Sequence, residues 1–215
     1  MTKPNVIVID AGLGNIGSVI AALQRQECSV FKATKPSQAD DLAMISHLIL
    51  PGVGAFNAGV DALKMSGWEQ WIKEKWRDAN KPLLGICLGM QLLATHGSEG
   101  SNDDNYVEGL DLIPGKVDKL VISDDQVLPH VGWNSLDWRN KNERISEGLP
   151  NNGDMYFVHS YRFETEDKDH CLAKTTYGEN FCSVVRNQKF YGVQFHPEKS
   201  QRLGSRLIKN FLELK

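Results

Sequence analysis

Cys87 is the one cysteine of the sequence that stands between two glycines, in the order Gly85, Ile86, Cys87, Leu88, Gly89. An apolar run at 82–86 leads into it and a helical pattern at 90–94 leads away. That is the form of a nucleophile elbow with cysteine in the serine position. A sharp strand-to-helix turn crowds its flanking backbone, so positions 85 and 89 must be small while the central side chain is pushed outward. A helix N-terminus behind the sulfur favours the thiolate, the nucleophilic form. Free cysteines are ordinarily packed as small hydrophobes. Cys28, Cys171 and Cys182 are read in that way, and Cys87 as a nucleophile.

A thiol nucleophile needs a base, and the base needs a group to orient it. His196 and Glu198 lie two residues apart after the apolar stretch 190–195, and in an extended chain that spacing points both side chains to one face. The carboxylate then holds one imidazole nitrogen and leaves the other for the sulfur. Of the remaining histidines, His47, His96 and His170 lie in polar surroundings and read as surface residues. His130 and His159 sit in dense local motifs, where a structural and a functional role are both open. The oxyanion formed by attack on an acyl carbon needs aimed donors. The elbow supplies the backbone N–H of Leu88, and the glycine-rich turn Pro51, Gly52, Val53, Gly54 after the strand at 48–50 offers a second.

Such groups converge at the C-terminal ends of parallel strands, and the sequence supplies the strands. Continuous apolar runs at 6–9, 48–50 and 82–86, with a short strand at 29–32, alternate with helical patterns. Strands buried on both faces predict an α/β fold with a mostly parallel central sheet flanked by helices. Beyond about residue 110 shorter alternating segments appear, at 116–122, 155–162, 171–176, 181–185 and 190–195. They predict added antiparallel strands in the C-terminal half. Leu203, Leu207, Ile208, Phe211 and Leu212 form a helical stripe suited to packing on the sheet. Residues 97–105 and 140–153 read as exposed loops.

With 215 residues, 41% of them hydrophobic, and no repeat or linker, the chain is expected to form a single domain, 1–215. A net charge of −3 gives no general attraction to nucleic acid. No apolar run reaches membrane-spanning length and no leader is evident, so a cytoplasmic protein is expected. The four cysteines lack C-x-x-C spacing, which predicts neither a disulfide framework nor a zinc site.

Gly12, Gly14 and Gly17 make a literal G-x-G-x-x-G between a strand and a helix. A dinucleotide site also requires an acid at the end of the next strand, and the chain there reads Phe31, Lys32, Ala33, Thr34, Lys35. A tight turn is the simpler reading.

Taken together, the motifs PGVGAF at 51–56, GICLGMQL at 85–92, IPGK at 113–116, PHVGWN at 129–134, YFVHSY at 156–161 and GVQFHPEKS at 192–200 resemble those of class I, triad-type glutamine amidotransferases. Within that family the chain is most similar to glutaminase subunits of imidazole glycerol phosphate synthases. The resemblance implies Cys87 as nucleophile, His196 as base and acid and Glu198 as orienter. It implies L-glutamine contacts from Gly52, Gln91, His159, Ser160 and Tyr161, with Gly52, Val53 and Leu88 supplying oxyanion donors. It further implies no metal or organic cofactor, and a heterodimer with a (β/α)8-barrel cyclase that Asn15, Trp133 and Lys199 would contact. Gly17 departs from the long basic residue usual at that position, and related subunits serving cell-surface sugar synthesis can carry glycine there. A cysteine peptidase or thioesterase would use the same elbow but would gain little from Gln91 and the 159–161 motif. A glutamine-like electrophile should therefore label Cys87 and spare Cys28, Cys171 and Cys182, as read by peptide mass spectrometry.

Overall fold

The computed structural model describes residues 3–14, 16–39, 41–101, 106–139 and 141–215. Strand β1 (Asn5–Ile9) shows why the apolar runs are continuous. Val6 and Val8 are buried with one cluster of side chains, while Ile7 and Ile9 are buried with another on the opposite face. After α1 (Gly17–Gln24) and β2 (Ser29–Ala33), β3 (His47–Gly52) repeats the division, with Leu48 and Leu50 on one face and Ile49 on the other. Helices α2 (Phe56–Ser66), α3 (Trp68–Trp71) and α4 (Arg77–Ala79), with a π-helical stretch Ile72–Trp76 before α4, cover the first face. Trp68, Trp71 and Trp76 anchor that layer, with ring centroids 5.2 Å and 5.8 Å apart. Strand β4 (Leu83–Cys87) then runs into α5 (Leu88–Gln91), a helix of one turn.

The second half comprises β5 (His96–Gly97), β6 (Val107–Glu108), β7 (Gly115–Lys119), β8 (His130–Trp138), β9 (Gly153–His159), β10 (Tyr161–Thr165), β11 (Cys171–Tyr177), β12 (Glu179–Asn187), β13 (Phe190–Val193) and helix α6 (Gln201–Leu212). The sheet order is β2-β1-β3-β4-β13-β12-β10-β7-β5-β6. The strands from β2 to β13 are parallel neighbours, and antiparallel pairing begins at β12. From β12 a branch through β11 leads to the β8–β9 ribbon. Leu207, Ile208, Phe211 and Leu212 of α6 close the second face. Among the described residues no helix is long and apolar enough to cross a membrane.

Four expectations change. The stretch 190–195, read among the added antiparallel strands, gives β13, which lies in the parallel block against β4. The stretch 155–162 is two strands that meet at Ser160. His47 is buried beneath α6, its ring 5.2 Å from that of Phe211, because the first residue of an interior strand has no exposed face. Cys171 and Cys182 are joined in a disulfide across β11 and β12 with their Cα atoms 5.6 Å apart, a pairing that adjacent strands permit without any C-x-x-C spacing.

The elbow depends on three close backbone approaches. A Cβ on Gly89 would strike the Leu50 carbonyl, one on Gly85 would lie 2.6 Å from the Gly89 carbonyl carbon, and one on Gly52 would lie 3.3 Å from Gly89 N. Gly12, by contrast, has open space around it and only a left-handed φ of 78°. Gly89→Ala should therefore cost about 1–3 kcal/mol by overpacking alone. Gly12→Ala should cost only the left-handed penalty of about 1–2 kcal/mol. Urea denaturation should rank Gly89→Ala as the less stable variant, and catalytic activity should fall only in Gly89→Ala.

Candidate active site

Cys87 ends β4 with φ 54° and ψ −112°, a conformation a side-chain-bearing residue adopts only when its surroundings impose it. The glycines described above impose it, and the thiol is turned toward the C-terminal edge of the sheet. There its Sγ lies 3.6 Å from the carbonyl of Val158. Strand β13, in register with β4 through Gly192 beside Gly85 and Val193 beside Ile86, brings His196 to the same edge.

A closed set of three hydrogen bonds ties the His196 backbone to Tyr156 and Ser200. Its N–H donates to the Tyr156 carbonyl at 2.8 Å, Ser200 Oγ donates to its carbonyl at 2.6 Å, and Ser200 Oγ in turn accepts the Tyr156 N–H at 3.0 Å. The imidazole Nδ1 donates to Glu198 Oε1 at 2.8 Å, with only 7% of the His196 side chain and 5% of the Glu198 side chain exposed. Residues Pro197–Lys199 form a single 3-10 turn, so a turn and not extended-strand alternation brings the carboxylate to the ring. Burial alone would lower the His196 pKa, but hydrogen bonding and charge from Cys87 and Glu198 outweigh it and raise the value to about 9. At neutral pH the ring is an imidazolium beside the sulfur, and it has a proton to give. A thiol, an imidazole and a carboxylate in this order have the chemistry of acyl transfer.

The thiol opens on a cavity of about 270 Å³, small for a drug-sized ligand and suited to a single amino acid. Gln91, Ser160 and Tyr161 line it, together with Val53 and His159. Gly52 lies against the elbow backbone beneath the cavity. The ring nitrogens of His159 are both engaged within the protein, Nδ1 at 2.8 Å from the Tyr161 carbonyl and Nε2 at 3.0 Å from His130 Nδ1, while the residue still lines the cavity.

The expected donor at Val53 is also turned away. Its N–H donates to the Leu13 carbonyl at 2.9 Å, because the turn between β1 and α1 packs on this loop. That turn is the use of the 12–17 glycines. Asp10, at the strand end where a nucleotide fingerprint begins, pairs with Lys32 at 3.1 Å.

Two positions that shape the site escape a reading by motif. Ser200 is visible only as the end of one. Glu99 falls in a polar stretch that reads as exposed loop, yet its carboxylate folds back to accept the Phe56 N–H at 2.9 Å and lines the cavity, its pKa raised by burial. Asn15 lies outside the described residues. Trp133 and Lys199 share Tyr156: the Trp133 ring meets it edge-on at 5.8 Å, and Lys199 Nζ stands 5.8 Å over its centroid. Trp133 is 48% exposed.

The fold and this Cys–His–Glu edge define a class. A model of class-I glutamine amidotransferases matches residues 7–214, and the chain belongs to that family. Over 211 residues it is 50% identical to imidazole glycerol phosphate synthase subunit HisH 1 of Prochlorococcus marinus (strain MIT 9313), with 97% of each chain covered. It is 38% identical over 209 residues to subunit HisH 2 of Pseudomonas aeruginosa, covering 97% of this chain and 99% of that one. Among solved structures, a putative GMP synthase protein from Thermoplasma acidophilum superposes with a TM-score of 0.71 at 19% identity, covering 99% of this chain and 94% of that one. A glutamine amidotransferase from Thermotoga maritima superposes with a TM-score of 0.69 at 17% identity over the whole of both chains. These two likenesses concern the fold alone.

Three buried histidines make the protein acid-sensitive. Burial lowers the pKa of His47 and His130 to about 4, and burial, reinforced by the charges of His130 and His196, lowers that of His159 to about 3. Below pH 6.5 the unfolded chain takes up three protons that the folded chain refuses. Stability should thus fall toward pH 4 by up to ~1.4 kcal/mol per pH unit for each histidine. His196 works in the other direction: its contribution is complete below pH 6.5 and is lost as pH rises through about 9. Urea midpoints measured from pH 4.5 to 9.5 should peak near neutrality, and a flat profile between pH 6.5 and 4.5 would show that these rings are not buried in the neutral form.

Proposed function

We propose that the chain, as a single amidotransferase domain spanning 1–215, is the cytoplasmic glutaminase subunit of an imidazole glycerol phosphate synthase. In this reading it hydrolyses L-glutamine and passes the ammonia to a (β/α)8-barrel cyclase in histidine biosynthesis. The observation that carries the chemistry is that Cys87 and His196 line one amino-acid-sized cavity, with the His196 ring hydrogen-bonded to the Glu198 carboxylate at 2.8 Å. The names of the relatives support the pathway.

Cys87 attacks the side-chain carboxamide carbon of glutamine, and the C–N bond breaks as His196 delivers its proton to the departing ammonia. The resulting thioester is hydrolysed by a water that the now neutral His196 deprotonates, releasing glutamate and the thiol. Glu198 keeps the imidazole in the tautomer that leaves its Nε2 toward the sulfur and stabilises the cation. The Glu99 carboxylate, across the cavity, suits the α-ammonium group of the substrate. Gln91, Ser160 and Tyr161 form the remaining walls. Trp133 and Lys199, which share Tyr156, belong to the face proposed to meet the cyclase.

The oxyanion requires a second donor besides the Leu88 N–H. Either the Gly52 or the Val53 amide meets the need, and Val53 does so only after leaving the Leu13 carbonyl. Removing one such donor is worth about 10²–10³ in kcat in other acyl-transfer enzymes. Glutamate release should therefore be slow in the isolated chain and should rise mainly in kcat when the barrel cyclase is added together with its ligand. In the same reconstituted complex, Cys87→Ala should abolish synthesis from glutamine and preserve synthesis from added ammonium. Equal kcat for free chain and liganded complex would reduce the partner to a passive acceptor. Loss of both activities in a folded Cys87→Ala complex would assign Cys87 another role.

A further inference from the structure

Gln194 is fully buried, and a carboxamide with no access to water must find partners for both of its ends within the protein. Its Oε1 lies 3.1 Å from Gln91 Nε2, and its Nε2 lies 3.9 Å from Cys87 Sγ, within reach of a hydrogen bond to sulfur. The shape of an amide does not tell its two ends apart, but the hydrogen-bond network here does. Gln91 Nε2 also lies 3.1 Å from the carbonyl of Tyr161. A carbonyl only accepts, so Gln91 must present its NH₂ to that side. The oxygen of Gln194 must then face Gln91, and its N–H must face the sulfur.

The same Tyr161 carbonyl is fixed from the other side. His159 Nδ1 donates to it at 2.8 Å, which makes His159 Nε2 an acceptor and requires His130 Nδ1 to be the donor across their 3.0 Å contact. His130 Nε2 then accepts from Asn134 Nδ2 at 3.3 Å, and Asn134 Nδ2 also donates to the Thr176 carbonyl at 3.0 Å. Two arms of defined polarity converge on one backbone oxygen. Both rings are neutral Nδ1–H tautomers, and no member can turn over without stranding a buried polar atom.

We propose that Gln194 is a positioning residue of the glutaminase reaction, its side-chain N–H holding the Cys87 sulfur in an orientation imposed by Gln91 and by the His130–His159 pair. The proposal rests on the reading of Cys87 as nucleophile. The N–H···S contact strengthens when the sulfur carries charge and weakens once the thioester has formed, so it favours the thiolate over the thiol. The titratable groups around the same cavity are His196 with Glu198 from the turn after β13, His159 and Tyr161 from β9 and β10, Glu99 from the loop after β5, and Lys199 at the rim.

The test is the pH dependence of Cys87 alkylation by iodoacetamide in the full chain. Gln194→Met keeps the length and approximate volume of the side chain but has no N–H to give to the sulfur. Alkylation at pH 7 should slow by about tenfold, the loss of one charge-assisted hydrogen bond, with the profile displaced to higher pH. Glutaminase kcat should fall with it, with KM little changed. An unchanged alkylation profile would overturn the proposal. His130→Phe preserves the stacking on Phe157 at 5.0 Å and Tyr177 at 4.1 Å while removing the donor. It should give a smaller displacement in the same direction, and no displacement would overturn the part assigned to the histidine pair. An independent reading comes from ¹H–¹⁵N spectra, where the side-chain amide signals of Gln194 should move in Cys87→Ala; unmoved signals would also overturn the proposal. If alkylated wild-type chain still hydrolyses glutamine, the nucleophile reading itself fails, and that outcome is distinct from the others.

Discussion

The carbonyl of Leu50 occupies the space a Cβ on Gly89 would need, and the rest of the site is arranged around that contact. Because α5 starts pressed against the end of β3, the chain must reverse within Cys87 itself, at φ 54°. Such a conformation costs of order 1–3 kcal/mol and persists only where the surroundings over-determine it. The surroundings here are Gly52 on β3, Gly85 on β4 itself and Gly192 on β13, whose added Cβ would lie 2.6 Å from the Met90 side chain. The strain therefore places one sulfur at the open edge of the sheet while the strands around it remain regular.

Delivery of the base follows from sheet topology. β13 is antiparallel to β12 but parallel to β4, so its C-terminal end arrives where β4 ends, and His196 needs only three residues of overhang to reach the thiol. Nothing in a strand end fixes a side chain to within the tolerance that proton transfer demands. The closed loop of Tyr156, Ser200 and His196 supplies that precision, with each buried polar group satisfied at 2.6–3.0 Å. Each such bond contributes a net ~0.5–1.5 kcal/mol, while leaving one buried group unpaired costs about 1–3 kcal/mol. The loop therefore resists local rearrangement more than its net stability indicates. It also ties β9 to the base. Tyr156, which holds His196 through its backbone, pairs across the ribbon with the exposed Trp133 on β8.

The parallel block and the meeting of Cys87, His196 and Glu198 were legible in the sequence because each rests on local pattern: apolar runs for strands buried on both faces, and a cysteine flanked by glycines. What the sequence concealed depends on tertiary placement. β13 has the length and alternation of an edge strand, and only the register Gly192 to Gly85 makes it an interior one. Glu99 sits among polar residues with no periodicity, and its value comes from folding against the start of α2. His159 lines the cavity, and what its motif does not disclose is that both of its ring nitrogens are engaged inside the protein. Cys171 and Cys182, separated by 11 positions in the sequence, become neighbours only through a β11–β12 hairpin with a register shift.

The glycine turn at 12–17, which mimics a nucleotide fingerprint, takes on meaning through Val53. Gly14, at φ 102°, lies against the Val53 side chain, and Leu13 takes its N–H, so the turn withholds a backbone donor from the site. Magnitudes limit what this lock can do. A neutral hydrogen bond nets roughly 0.5–1.5 kcal/mol, enough to favour the withheld state by about tenfold at most. A gain of 10²–10³ by release of the donor alone requires that state to be favoured by about 3–4 kcal/mol. The Leu13 bond therefore cannot be the whole lock. The remainder must come from contacts that also change when the loop turns, and the Val53 side chain is the nearest source: it is packed on Gly14 yet 48% exposed at the cavity. A partner that covers this valine in the donor-aligned state would gain apolar burial available only in that state, which is the differential affinity a population shift needs.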